Sequence, residues 1–221
     1  MRVARRAIAA LPVATVAVSL VVPTRSAQAH DAPAWFQARW NSGPVPFVID
    51  GTVPASTAFR DRIREGGTNW PTNTSGRPAI SFGSTAGDLP SGACADSTSG
   101  IHYGYVDGRA SGTVAVTNVC YYSSSRSIVT ADIVFDDREP WFDSDSTAIP
   151  SDRLDLEAVA THEFGHAYGG WNGSHWGDGG ELCGTGLTRH TMCPSIIRGQ
   201  STQRSPELHD VHTMKAEYSR K

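Results

Sequence analysis

Apolar residues recur at mainly three- and four-residue spacings from Leu154 onward. In the run Leu-Asp-Leu-Glu-Ala-Val-Ala-Thr-His-Glu-Phe-Gly-His-Ala-Tyr, Leu156, Val159, Ala160 and Phe164 make one side of an amphipathic helix. Ser151 and Asp152, following Pro150, are plausible N-cap residues, and Gly169 can end the helix in a left-handed conformation. Earlier segments read differently. Residues 45–53, with Phe47, Val48 and Ile49, suit a strand, and residues 56–65 suit a helix capped by Ser56 and ended by the Gly66-Gly67 pair. Residues 79–82, 100–106, 113–122 and 128–135 are rich in Val, Ile, Tyr and Thr and predict four further strands. A last amphipathic helix is expected over 205–218, where Leu208, Val211, Met214 and Ala216 recur. The order of strand, helix, several strands and helix predicts an α+β fold.

The first 29 residues stand apart. Arg2, Arg5 and Arg6 precede an apolar run from about residue 7 to 22, and Ala27-Gln28-Ala29 completes a small-residue ending. This is the layout of a secretory signal peptide, with cleavage expected before His30; the run contains Pro12 and is short for a spanning helix, so no stable membrane anchor is expected. The remaining residues, 30–221, are read as one domain, large enough for a substantial core or for two small lobes around a cleft. The formal net charge of -3 and the lack of a dense basic run give no electrostatic case for nucleic acid. The chain is expected to be secreted and monomeric.

Export makes disulfides the expected state of the four cysteines. Three pairings are open, and local order favours Cys94 with Cys120 and Cys183 with Cys193. Asp136, Asp137, Asp143 and Asp145 form an acidic patch offering oxygen ligands to calcium, although a solvated loop is the usual meaning of such a patch and EF-hand spacing is absent.

His162-Glu163-Phe164-Gly165-His166 concentrates the chemistry. Histidines four residues apart project from one side of a helix and can share one metal ion, and Glu163 can take a proton from a water at an open zinc position. Catalytic zinc usually takes three protein ligands, so one more is needed, and Asn172, His175 and His190 are the downstream candidates.

The stretch resembles the metzincin zinc peptidases, whose signature is H-E-x-x-H-x-x-G-x-x-H followed by a methionine-containing turn. His162, Glu163, His166 and Gly169 match in place, Asn172 occupies the next signature position, and His175 lies three residues beyond it. His190-Thr191-Met192-Cys193-Pro194 is similar to the family's Met-turn, and Met192 with Pro194 is most similar to the matrixin branch and its small bacterial secreted relatives. The resemblance covers roughly residues 44–218, with its specific motifs confined to 161–194.

It implies a twisted mixed β-sheet, an active-site helix and a smaller loop-rich C-terminal lobe closed by a helix. It also implies hydrolysis of protein or peptide substrates by a zinc-activated water, with Glu163 as general base and then acid. Met192 would lie under the zinc site without ligating it. An extended substrate would pair with an edge strand, for which residues 128–135 are the expected one. His162, His166 and His175 are the expected zinc ligands: the amide of Asn172 is a poor zinc ligand beside imidazole, and Gly173 gives the backbone freedom to bring His175 inward. No cysteine precedes Cys94, so the cysteine-containing propeptide that blocks zinc in many matrixins is absent. A secreted binding or structural module that keeps the zinc scaffold without turnover is the competing reading, carried by Asn172.

Overall fold

The computed structural model describes residues 13–21, 38–41, 43–73, 78–91, 94–106, 112–169, 191–193, 195–207, 210, 211, 214 and 218. Its elements run in the order β1 (Val13–Val21), β2 (Val45–Ile49), α1 (Thr57–Asn73), β3 (Ile80–Ser84), β4 (Ser99–Gly104), β5 (Thr113–Tyr122), β6 (Ser127–Asp136), β7 (Trp141–Phe142), β8 (Leu154–Asp155) and α2 (Leu156–Gly169). Six of these strands form one mixed sheet in the order β1-β5-β6-β4-β2-β3. The β2–β3, β2–β4 and β4–β6 pairs are parallel, and β5 is antiparallel to both β1 and β6. The protein is therefore α+β, as its pattern predicts. Residues 210, 211, 214 and 218 are helical where a closing helix is expected. Among the described residues no helix is long and apolar enough to cross a membrane.

Three expectations are corrected. The Gly66-Gly67 pair does not end α1, which continues to Asn73. An ideal Cβ at Gly66 would lie 2.6 Å from Ala160 Cβ and 2.7 Å from Thr161 N, and one at Gly67 would lie 2.6 Å from the Phe82 ring. The pair lets α1 press its backbone against α2, a use of glycine that local sequence does not separate from helix termination. The cap of α2 is Asp155 rather than Ser151 or Asp152: Asp155 Oδ1 accepts the amides of Glu157 at 3.1 Å and Ala158 at 3.4 Å. Finally, residues 128–135 are not an edge strand. They lie in β6, paired on one side with β4 and on the other with β5. Ile128, Ala131, Asp132, Ile133 and Phe135 are buried, so the apolar run marks a strand covered on both faces.

Strand alternation assigns the sheet faces. Ile101, Ile133 and Thr117 are aligned across β4, β6 and β5, and Thr117 reaches α2 through a hydrogen bond to Glu163. Phe47 and Phe82 meet Phe164 of α2 edge-on, with ring centroids 5.1 and 5.7 Å apart. The opposite face carries a different cluster. His102 is buried with Asp50 and Asp132; its Nδ1 lies 2.7 Å from Asp50 Oδ2, and its Nε2 lies 3.8 Å from Asp132 Oδ1. At that separation Asp132 acts through charge rather than as a hydrogen-bond partner. Gly100 makes room for the ring, because a Cβ there would stand 2.3 Å from His102 Nε2. Asp50 also accepts Thr52 and Leu89 amides, so the cluster ties the end of β2 and its following loop to β4 and β6.

Burial pushes the His102 imidazole down, but Asp132 and Asp50 outweigh it and hold the group above its ordinary value of 6.5. A basic group raised in the fold contributes stability that is complete below its unfolded pKa and is lost as pH rises through the folded one. Native stability is therefore expected to fall above about pH 6.5, measured as the urea midpoint against pH. His102→Leu should remove this part of the pH dependence and, by leaving two buried carboxylates unpaired, cost about 3–5 kcal/mol. An unchanged midpoint in that variant would show that the cluster does not hold the strands.

Candidate active site

Every residue of α2 is buried, including His162, Glu163 and His166. A helix in this position must satisfy its polar side chains within the protein, and each end is anchored. At the N-terminus, Arg204 Nε lies 2.7 Å from Asp155 Oδ2, and Arg62 pairs with Glu157 at 3.1 Å. At the C-terminus, Tyr218 donates to the Tyr168 carbonyl at 2.5 Å, Trp40 Nε1 to the Ala167 carbonyl at 2.9 Å, and Tyr168 to the Pro78 carbonyl at 2.9 Å.

Between these anchors the two histidines converge. Their Nε2 atoms are 2.9 Å apart and their rings nearly perpendicular, at 85°. His162 Nδ1 lies 2.7 Å from the Thr191 carbonyl oxygen, so it carries the proton and donates, leaving the Nε2 lone pair aimed toward His166. Burial, opposed only by that bond to Thr191, lowers the His162 pKa to about 4 and keeps the ring neutral. A neutral imidazole with its far nitrogen fixed by a carbonyl is the form that ligates a metal. Zinc–nitrogen bonds of ~2.0–2.1 Å in tetrahedral geometry place two ligand nitrogens roughly 3.3 Å apart. The observed pair needs to open by only a few tenths of an ångström, so these residues fit a shared zinc ion.

Glu163 faces another partner. Thr117 of β5 places its hydroxyl 2.6 Å from Glu163 Oε2 and 3.1 Å from the Glu163 carbonyl, fixing the carboxylate against the sheet. Met192 is buried against the same helix. An ideal Cβ at Gly165 would stand 2.3 Å from its sulfur, so the glycine between the two histidines is the space the methionine fills. The turn carrying Met192 is held in its own way: Thr191 N donates to Asp210 Oδ2 at 3.1 Å and Thr191 Oγ1 to the Ser205 carbonyl at 2.7 Å. Asp210, Thr191 and His162 form a chain of contacts from the C-terminal helical residues to the first histidine.

The structure thus brings together His162, His166, Glu163 and Met192. His175, its rivals Asn172 and His190, and Cys183 lie outside the described residues. Among the described residues no third His, Cys, Asp or Glu joins the pair in a metal-holding group. Cys94 and Cys120 are disulfide-bonded, as local order favours. Cys193 is also disulfide-bonded. In the acidic patch, Asp136 is engaged by Arg138 through both its backbone amide, at 2.9 Å, and its guanidinium, whereas Asp137 and Asp145 are exposed.

Thr117 and Asp210 join the site through contacts that the sequence pattern alone does not show. Thr117 sits in an ordinary β-run, and nothing local marks it. Asp210 carries a signal, a carboxylate beside the apolar positions of the last amphipathic segment. No protein-family model matches this chain, and no curated protein matches it.

Burial raises the Asp210 pKa to about 7, although amides of Glu207, Thr191 and Met192 pull the other way. An acid raised in the fold is neutral, and without penalty, below its unfolded pKa, and its contribution is lost as pH rises through the folded value. Asp210 should therefore weaken the fold between about pH 4 and the folded value of about 7. Asp210→Asn keeps an acceptor for Thr191 without the charge, so the variant should lose less stability than the wild type across that window. Identical denaturation profiles from pH 4 to pH 8 would show that Asp210 does not titrate against folding.

Proposed function

We propose that this chain is a secreted, zinc-dependent endopeptidase of the metzincin type, cleaving protein or peptide substrates as a monomer. The observation that carries the proposal is the convergence of the His162 and His166 Nε2 atoms at 2.9 Å on one buried helix whose intervening Glu163 is held by Thr117. The Met192 sulfur packed at Gly165 supports the metzincin assignment, because it fills the position expected of that family's turn. The finer architecture is read in the same way, as a mixed sheet carrying an active-site helix below a smaller C-terminal lobe.

His162 and His166 would hold the zinc with His175 as the third ligand, and bound zinc supplies polarisation of the scissile carbonyl and a lowered pKa for the attacking water. The Thr191 carbonyl fixes the His162 ring in the ligating tautomer. Glu163 removes a proton from the attacking water and returns it to the departing amine, the two halves of general base and acid catalysis. Thr117 limits the motion of the Glu163 carboxylate and aims it for both transfers. Once the expected leader, residues 1–29, and with it β1 is removed, a peptide would pair with the freed edge of β5, the strand bearing Thr117, through main-chain hydrogen bonds that ask little of its sequence.

Glu163→Ala should lower casein cleavage by roughly a hundredfold to ten-thousandfold while bound zinc stays stoichiometric. Loss of zinc in that variant would make Glu163 a ligand or a structural residue, and cleavage by metal-free protein would refute the peptidase proposal. Thr117→Val, nearly equal in shape, should reduce kcat about tenfold with KM and zinc content little changed, consistent with one lost hydrogen bond to a charged group. His175→Ala should lose tight zinc binding where Asn172→Ala and His190→Ala retain it; zinc loss confined to His190→Ala would overturn the ligand assignment.

A further inference from the structure

The outer side of β5 is covered in this chain by β1, the apolar segment that the sequence marks as part of a removable leader. The two strands pair antiparallel over nearly the full length of β5, from Val13 opposite Tyr122 to Val21 opposite Thr113, with one irregularity between Leu20 and Val21. Val18 stands opposite Thr117, the residue whose hydroxyl lies 2.6 Å from Glu163 Oε2. The leader strand thus crosses β5 at the point where β5 holds the candidate general base, and it also approaches α2 itself. The sheet's other edge is β3, four strands away from β5.

We propose that residues 13–21, while attached, are an internal occupant of the β5 edge and keep the precursor latent by covering the strand on which an extended peptide pairs. The proposal rests on the peptidase reading above. Pairing is the physical reason for the block. A β5 edge freed by removal of residues 1–29 presents a row of unpaired amide and carbonyl groups, which is a template for strand addition. With the leader in place the same groups are satisfied by a strand on the same chain. An attached segment competes at an effective concentration on the order of millimolar, so a dilute substrate does not displace it readily.

The test compares zinc-loaded full-length chain with residues 30–221 in casein cleavage and in amide exchange of residues 113–122. The full-length chain should cleave at least about tenfold more slowly, a deficit within the reach of intramolecular competition, and its β5 amides should exchange more slowly. Ala17→Pro/Val18→Pro in the full-length chain removes two backbone amides of β1 and should restore both cleavage and exchange toward the values of residues 30–221. Equal rates in the two forms overturn the proposal, as does a slow full-length chain that the proline pair leaves slow. If neither form cleaves, the peptidase reading fails separately: slower β5 exchange in the full-length chain then still supports occupation of the edge, and equal exchange overturns it.

Discussion

The complete burial of α2 is the constraint from which the rest of the site follows. A polar group removed from water without a partner costs about 1–3 kcal/mol, and this helix takes two imidazoles, a threonine and two glutamates inside. The partners come from segments far apart in the chain. Thr117 on β5 serves Glu163, the Thr191 carbonyl serves His162, and Arg62 and Arg204 serve Glu157. The Thr161 hydroxyl lies between the Glu157 and Arg204 carbonyl oxygens, at 2.8 and 2.9 Å, and shares its one proton with them, and the Thr161 carbonyl accepts Trp70 Nε1 at 2.6 Å. Each contact that makes the helix tolerable in the interior also fixes the angle at which a functional side chain leaves it.

Close packing supplies the second half of that control. Gly66 and Gly67 bring α1 against one side of α2, and Gly165 admits the Met192 sulfur on another, each at a distance where a methyl group would collide with its neighbour. The sheet closes a third side through Phe47 and Phe82 against Phe164. Protein interiors at crystal-like density do not absorb a displaced methyl group without moving something. The separation of the two histidine nitrogens is therefore set by the surrounding elements as much as by helical geometry.

Much of this was legible in the sequence because it is written in local period. Residues 113–122 read as a strand and form β5 over that same span, and the His162–His166 spacing places both rings together on the helix that the apolar pattern predicts. What was not legible depends on contacts between distant segments. The glycine pair 66–67 has the same local appearance whether it ends a helix or lets one helix approach another, and only Ala160 and Thr161 decide between these. Asp155 does not stand out as a cap, because it sits in an apolar run beside Leu154 and Leu156, both buried. The position of β6 in the sheet is not legible for a related reason: an apolar run identifies a strand, but its neighbours are fixed by topology. Thr117 belongs to the same class, since the chemistry of its hydroxyl becomes visible only once β5 is laid against α2.

His162 and Glu163 on α2 are held by different elements, and this separates their sensitivities. His162 is oriented by a backbone carbonyl, so any residue at 191 could supply that acceptor. The turn itself is kept in place by Thr191's own contacts to Asp210 and Ser205. Changes in the C-terminal segment should therefore reach His162 through the position of one carbonyl. Glu163 is instead oriented by a side chain on β5, whose outer edge accepts another strand. A strand added at that edge lies beside Thr117, which holds the carboxylate, while His162 is held separately by the Thr191 carbonyl. On the peptidase reading, the edge that would take a substrate and the residue that holds the general base then belong to one strand, while the two histidines rest on contacts that do not involve that strand's Thr117.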